Sequence, residues 1–370
     1  MSDQLHLIAA PEWPTQKVDL LAGPRTQRWI FELIAARTNR YIRTITHEIR
    51  DFEVEFNVHA DIRSGGTAVW QSRTPIDWME HRLRAHLEVS SLGRTTRWTI
   101  GTFYVEAPQG PITAARAPRT LQLYDMMFRL KTQTSTAAQW VAHRGSNIID
   151  TVRHLLDRQS MRNALADSSA TFSSQMAWKA TSTYLKMTND MLQAANFFSI
   201  WADPQGILRA DPYRVPAQRG VAWTFRDDRS ANPYRPNPLL MGDTFSVPSK
   251  VVLTASTDDP DALPMVGVAT DTTSRFSFER RDVRITHTEQ NVAAADQKTL
   301  TALAARRLEE LQRVSRTVEV EHLILPLQLN DVARFEHAAS GFTATAVIEK
   351  FAFGMSSQGL CKTTIREVAG

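Results

Sequence analysis

Two carboxylates flank a predicted turn in the stretch NFFSIWADPQGILRADPY, residues 196–213. A glycosidase needs two facing carboxyl groups, one to protonate the leaving oxygen and one to act as base or nucleophile. Asp203 and Asp211, with Asp228 further along, are the candidates for such a pair. Each also has a structural role, because residues 203–206 (DPQG) fit a type I turn and Asp211 ends the second strand of a hairpin. The sequence favours the hairpin, and we predict no catalytic residue.

Histidine and acidic clusters lack the spacing of a metal site. HEIRD, residues 47–51, resembles the zinc-protease motif H-E-x-x-H, but an aspartate stands where the second histidine is needed. The acidic loop TDDPDALP, residues 257–264, lacks the spacing of a calcium loop and is typical of Asx-turns. His81 and His86 are five apart in an alternating strand, which places them on opposite faces. We predict no metal site and no cofactor.

The motifs for a nucleophile or a phosphate are also incomplete. GMSSQG, residues 354–359, nearly matches the nucleophile elbow G-x-S-x-G, but Gln358 replaces the second glycine and no helix follows Ser356. We predict a turn between two strands there. Glycines never fall in a dinucleotide-binding or P-loop spacing. The single cysteine, Cys361, excludes an internal disulfide and agrees with folding in the cytoplasm.

Composition and charge indicate an ordinary globular chain. Of the 370 residues, 42% are hydrophobic and 22% charged, and the length favours two or three domains. The formal net charge is +4, but basic and acidic residues are interleaved, whereas a nucleic-acid binder would cluster its basic residues. No apolar run reaches the ~18 residues of a membrane helix, and the first residues lack the basic segment of a signal peptide. We expect no nucleic-acid-binding patch and no membrane insertion.

Alternating hydrophobicity predicts a β-rich first region, residues 1–130. DFEVEFNV and HRLRAHLEV each alternate apolar and polar residues, as half-buried strands do. Gly65-Gly66 reads as a turn signal, and the change of phase beside Gly101 predicts a β-bulge. Several such strands at this spacing are typical of a sandwich or a small barrel.

The middle region, residues 131–235, reads as a mixed α+β module. Helical spacing predicts one helix over 147–159 with Asn147 as its N-cap, and a second over 181–196 capped by Ser182 or Thr183. The proline-rich stretch SANPYRPNPLLMGD is the candidate linker. The third region, residues 236–370, reads as mostly β, with one helix over 293–314.

The order of these segments resembles the tail-hub, or baseplate-hub, proteins of long-tailed bacteriophages, which are relatives in fold of type VI secretion spike hubs. The resemblance covers the chain from about Tyr41 to its end. It is carried by a series of segments and not by one invariant motif: WTIGTFYVEAP, LQLYDMMFRL, MLQAANFFSIWADPQGILRADPY, WTFRDDRS, VVLTASTDDPDALPMVGVA, LNDVARFEH and TTIREV.

This resemblance implies a mainly β fold in which two small β-barrel hub domains flank a mixed α/β module. It implies a homotrimer whose six barrels form a ring at the tail tip, with DNA only in transit through its lumen. The implied partners are the distal tail protein, the tape-measure protein and the tail-tip spike or fibre proteins of the same virion. The chain stops after the second barrel, so we expect puncture and wall digestion to belong to neighbouring proteins. Assembly is expected in the host cytoplasm.

Two other functions stay open at the level of sequence. The first is a tail-associated hydrolase of the cell wall that uses Asp203, Asp211 or Asp228. The second is a module at the tail periphery that binds a host glycan through exposed Trp and Tyr side chains.

Overall fold

The computed structural model describes most of the chain. The described residues are 24–91, 93–106, 117–135, 139–172, 175–214, 216–227, 239–241, 246–255, 264–274, 276–292, 297–312, 317–356 and 359–368. Asp228 and the acidic residues of TDDPDALP lie outside them. They divide into two compact units, one holding the residues up to Asp227 together with Glu319–Val368 and the other holding those from Leu239 to Val318.

The described residues of the first part of the chain contain seven strands. They are β1 (Thr26–Ala35), β2 (Tyr41–Thr44), β3 (Ile49–Asn57), β4 (Ser64–Trp70), β5 (His81–Ser91), β6 (Arg94–Glu106) and β7 (Arg119–Tyr124). The predicted alternation is confirmed in β3, where Phe52, Val54 and Phe56 are buried and the residues between them are not. The predicted bulge beside Gly101 is confirmed as well, since the register of β5 and β6 shifts there.

The turn predicted at Gly65-Gly66 is wrong, because both glycines lie inside β4. A Cβ atom on Gly66 would lie 2.0 Å from the carbonyl oxygen of Glu53, and one on Gly65 would lie 2.7 Å from that of Leu123. The glycines therefore let β4 pass between β3 and β7 where a side chain has no room. A turn signal read from residue types alone does not detect such neighbours.

A helical module, Met127–Tyr213, follows. It contains α1 (Met127–Thr132), β8 (Gln139–Ala142), α2 (Ile148–Arg158), β9 (Asn163–Leu165), β10 (Met176–Lys179), α3 (Tyr184–Ala194), β11 (Trp201–Ala202) and β12 (Leu208–Ala210). Both predicted helices are confirmed, and so are their caps: the side chain of Asn147 accepts from the amide of Asp150 at 3.0 Å, and that of Thr183 accepts from Lys186 at 3.2 Å.

The remaining elements alternate between the two units. The first unit resumes with β13 (Val221–Arg226). The second has β14 (Leu239–Met241), β15 (Lys250–Ala255), β16 (Val266–Thr270), α4 (Phe278–Arg281), β17 (Thr286–Val292) and α5 (Gln297–Gln312). The chain ends with β18 (Thr317–Leu323), β19 (Val332–His337), β20 (Phe342–Gly354) and β21 (Leu360–Glu367). The predicted third-region helix is thus confirmed as α5.

One large, mostly antiparallel sheet organises the first unit. Its strands follow the order β18-β21-β20-β3-β4-β7-β6-β5-β1-β2, with β19 also on β20 and β13 on β19. The last strands of the chain therefore join the first ones directly, as Phe351 of β20 pairs with Phe56 of β3. The second unit has its own small core. In it, Leu300 and Ala304 of α5 and Leu253 of β15 are buried together, where α5 covers one face of the sheet β16-β15-β17.

The predicted mainly β class is confirmed, with strand outweighing helix in the described residues. No closed barrel is present among the described strands, and the arrangement of two hub barrels stays a proposal. The division at residues 130 and 235 stays a prediction.

Candidate functional site

The hairpin of β11 and β12 is a braced turn. The amide of Gly206 donates to the carbonyl of Asp203 at 2.8 Å, and Gly206 takes the left-handed conformation that closes the turn, with φ of 78°. The buried carboxylate of Asp203 accepts from the amide of Ile207 at 2.8 Å and from Nε of Arg209 at 2.9 Å. The predicted hairpin is confirmed, and both oxygens of Asp203 are bonded within it.

The tip of this hairpin contacts residues of the large sheet and of the turn between β1 and β2. The hydroxyl of Thr102 in β6 donates to the carbonyl oxygen of Pro204 at 2.9 Å, and the side chain of Asn39 donates to that of Gln205 at 3.2 Å. Arg84 in β5 links the two donors, since its guanidinium bonds both the Thr102 hydroxyl at 2.9 Å and the Asn39 side-chain oxygen at 2.7 Å. The hairpin thus fastens the helical module to the sheet.

Two of the three hydrolase candidates lie in the described residues, and both belong to the hairpin. Asp203 is committed to the hairpin. The backbone of Asp211, not its carboxylate, is engaged, since its carbonyl accepts from the amide of Phe198 at 2.9 Å. Asp228 lies outside the described residues. Within the part of the chain that is described, no three His, Cys, Asp or Glu side chains form a group that could hold a metal ion.

The remaining sequence motifs occupy structural positions. Glu48 of HEIRD lies in a short 3-10 turn, where it accepts from Arg43 and, at 3.1 Å, from the indole nitrogen of Trp70. Ser356 of GMSSQG lies in the turn after β20, as predicted, and its hydroxyl donates to Glu53 at 2.9 Å. None of the described helices is long and apolar enough to cross a membrane.

His81 and His86 have different surroundings. The ring of His86 is almost fully buried, with Nε2 3.0 Å from Glu32, whose other oxygen accepts from Arg97 at 2.6 Å. Burial lowers the pKa of His86, although Glu32 opposes this shift. The ring of His81 is more exposed and bonds the carbonyl of Asp77. The placement of the two histidines on opposite faces of β5 stays a prediction.

A buried carboxylate that the sequence did not reveal lies where the chain enters the helical module. Asp125 follows β7 and accepts from the amide and the hydroxyl of Ser64 at 2.8 and 3.0 Å and from the amide of Met127 at 2.8 Å. Burial raises the pKa of this carboxyl to about 6, against the effect of these bonds. Asp125 ties the start of β4 to the start of α1, and the only sequence signal was its place in the segment LQLYDMMFRL.

A second buried titratable group lies in strand β18. His322 in β18 is 2% exposed and bonds the hydroxyl of Thr363 in β21 at 2.8 Å, while its ring packs on Phe225. Burial lowers the pKa of this imidazole to about 4. The ring is therefore neutral at neutral pH and joins two strands of the sheet.

Three exposed apolar side chains lie at one end of β1. Tyr41 and Ile42 belong to β2, the last strand of the sheet path, and Tyr41 pairs with Ile34 of β1. Met79, 84% exposed, comes two residues before His81, which pairs with Ala35. We call Tyr41, Ile42 and Met79 the apolar rim. An exposed apolar group on an edge strand is typical of a surface that contacts another chain.

The fold is similar to that of phage tail proteins. A tail protein from Neisseria meningitidis MC58 matches with a TM-score of 0.62 and 13% sequence identity, over 92% of this chain and 96% of that one. The 43 kDa tail protein of prophage MuSo2 from Shewanella oneidensis matches with a TM-score of 0.60 and 11% identity, over 92% and 98%.

A type VI secretion structure is similar as well. A chain of the Francisella PdpA-VgrG complex matches with a TM-score of 0.59 and 8% identity, over 94% of this chain but 53% of that one. No family model and no curated protein matches the sequence. The resemblance to phage tail hubs and type VI spike hubs is thereby confirmed at the level of the fold.

Proposed function

We propose that this chain is a structural protein of a phage tail tip, the hub that joins the tail tube and distal tail ring to the tip. One observation carries the proposal: the fold matches that of two phage tail proteins over more than nine tenths of both chains. A match of this extent concerns the fold of nearly the whole chain and not one shared motif.

The hub would be a homotrimeric ring around a channel for DNA. A ring of identical chains needs heterologous contacts that close by rotation. The apolar rim supports such a contact, because Tyr41 and Ile42 are exposed on the edge strand β2 and Met79 is exposed just before β5. Interleaved charge supports a lumen through which DNA slides, because clustered basic residues would hold its phosphates. Two barrels per chain would supply six around the ring.

The role would be assembly and not catalysis. Asp203 supports this view, because its two oxygens are bonded to Ile207 and Arg209 within the hairpin. The partners would be the distal tail protein, the tape-measure protein and the spike or fibre proteins of the tip. The protein would assemble in the host cytoplasm and reside in the virion tail, with no cofactor.

The test is to purify the chain, mix it with the neighbouring tail proteins and image the product. We expect rings with a central opening. A parallel assay follows the turbidity of host cell walls, where we expect no loss with the natural chain or with Asp203→Ala. A loss of turbidity that Asp203→Ala abolishes would contradict the structural role and establish the hydrolase.

A further inference from the structure

The helical module has a hydrophobic core of its own. Val152 of α2 and Met187 and Leu192 of α3 are all fully buried in this core, which the hairpin completes through Leu208 and Ala210. None of the described helices and strands of the module lies along a strand of the large sheet. The module therefore has the internal packing of a body that keeps its shape without the sheet.

The module meets the sheet at few places. On the side where the chain enters, the ring of Phe128 stacks on Tyr124 at 5.1 Å, Ile62 packs against the module core, and Lys131 pairs with Asp61 at the surface. After the module, Arg219 lies over the ring of Phe198. Asp61 and Ile62 come just before Ser64, which bonds Asp125 at the entry, and the other contacts lie close in sequence to the chain connections. Among the contacts of the described residues, that of the hairpin tip is therefore remote from the entry.

The contacts of the hairpin tip are polar. Thr102 and Asn39 donate to the backbone carbonyls of Pro204 and Gln205. Water can replace each partner in these bonds, so breaking them costs little free energy. The flexible side chain of Met126 is the apolar neighbour of Gly206. The bonds that Asp203 accepts from Ile207 and Arg209 lie within the hairpin, so they remain when the hairpin tip leaves the sheet.

We propose that the hairpin tip is a releasable latch and that the helical module turns as an intact body about its entry at Asp125 when the latch opens. The latch consists of Pro204 and Gln205 on the module and of Asn39, Arg84 and Thr102 on the sheet. Such hinge motions need a few residues that absorb the change and two packed bodies that do not deform. This inference does not depend on the tail function.

The experiment measures the distance between the module and the sheet by electron spin resonance. Spin labels are attached at Lys179→Cys in the module and Arg94→Cys in the sheet, both exposed. The natural Cys361 is 2% exposed, and burial raises the pKa of its thiol to about 12, so it does not react with the label. The latch variant is Arg84→Ala with Thr102→Val. The control is Arg28→Ala, which removes an arginine paired with Glu88 on the same sheet but away from the hairpin.

We expect a narrow distance distribution in the natural chain and in the control, and a second, separate population in the latch variant. Hydrogen exchange at Val152, Met187 and Leu192 should stay as slow in the latch variant as in the natural chain. An unchanged distribution in the latch variant would overturn the proposal. Faster exchange at these core amides would overturn it too, because the module would then unfold and not turn.

Discussion

The hydroxyl of Thr102 donates to the carbonyl oxygen of Pro204 across 2.9 Å, and the two residues are 102 positions apart in the chain. This bond joins a strand of the large sheet to the tip of a hairpin whose sequence at first suggests an active site. The hairpin is a structural brace.

Removing the Asp203 side chain should destabilise the protein. Asp203→Ala deletes the acceptor of the Ile207 amide and of Arg209, and leaves that amide without its partner. We expect the free energy of unfolding to fall by roughly 1–3 kcal/mol, measured by urea denaturation. Asp167→Ala is the matched control, because Asp167 is 95% exposed and pairs with Arg153 at the surface. Equal effects of the two substitutions would contradict the bracing role.

Gly66 should not tolerate a methyl group. Its Cβ would lie 2.0 Å from the carbonyl oxygen of Glu53, so Gly66→Ala forces β3 and β4 apart, and we expect a loss of about 3 kcal/mol or more. Gly93→Ala is the control: with φ of 74° it is strained, but nothing lies within 4 Å of the added atom, and about 1 kcal/mol is expected. Thermal unfolding of both variants checks this order, and a larger loss for Gly93→Ala would show that the close strand approach is wrong.

Asp125 should make the protein less stable as pH rises from about 4 to about 6. The folded state keeps its proton up to a pKa of about 6, whereas the unfolded chain releases it near 3.8, so the folded state binds more protons in this window. The contribution is at most about 3 kcal/mol. Asp125→Asn should abolish this component, and the measurement is urea denaturation at a series of pH values.

His322 should act in the opposite direction. Its pKa is lowered to about 4 in the fold from 6.5 in the unfolded chain, so between these values the unfolded state binds more protons and stability rises with pH. In the natural chain the two groups oppose each other between about pH 4 and 6. Asp125→Asn should therefore lose stability on acidification through that window, and His322→Gln should gain it. The same slope in both variants would contradict the assignment.

The apolar rim should contribute to self-association. Tyr41→Ser with Met79→Ser removes apolar area from the edge of the sheet, and we expect assemblies to dissociate at higher protein concentration than those of the natural chain. Val283→Ser, at an exposed valine of the second unit, is the control. Sedimentation over a range of concentrations measures the association of each variant. Equal association of the two variants would show that the apolar rim does not form the contact.

Local patterns predicted the local structure well. The alternation of Phe52, Val54 and Phe56 identified β3, and the cap at Asn147 located the start of α2, because both depend on neighbours in sequence. The prediction of a turn at Gly65-Gly66 was wrong because the need for glycine in β4 comes from the backbone of Glu53 and Leu123 on adjacent strands.

Long-range pairing and burial could not be predicted. Ser356 bonds Glu53 across 303 positions, and such a pairing of the last strands with the first ones leaves no periodic signal in the sequence. Asp125 and His322 are likewise held by Ser64 and Thr363, which are distant from them in sequence. The turn of the hairpin could be predicted from the residues between Asp203 and Gly206. The contact of its tip with Thr102 could not, because that contact depends on the position of the helical module relative to the sheet.

The most direct test of the hub is the molar mass of the purified chain, measured by light scattering alone and in the presence of its distal tail protein. We expect a defined assembly of three copies, formed alone or only on that partner. A single copy under every condition, including with all neighbouring tail proteins, would contradict it.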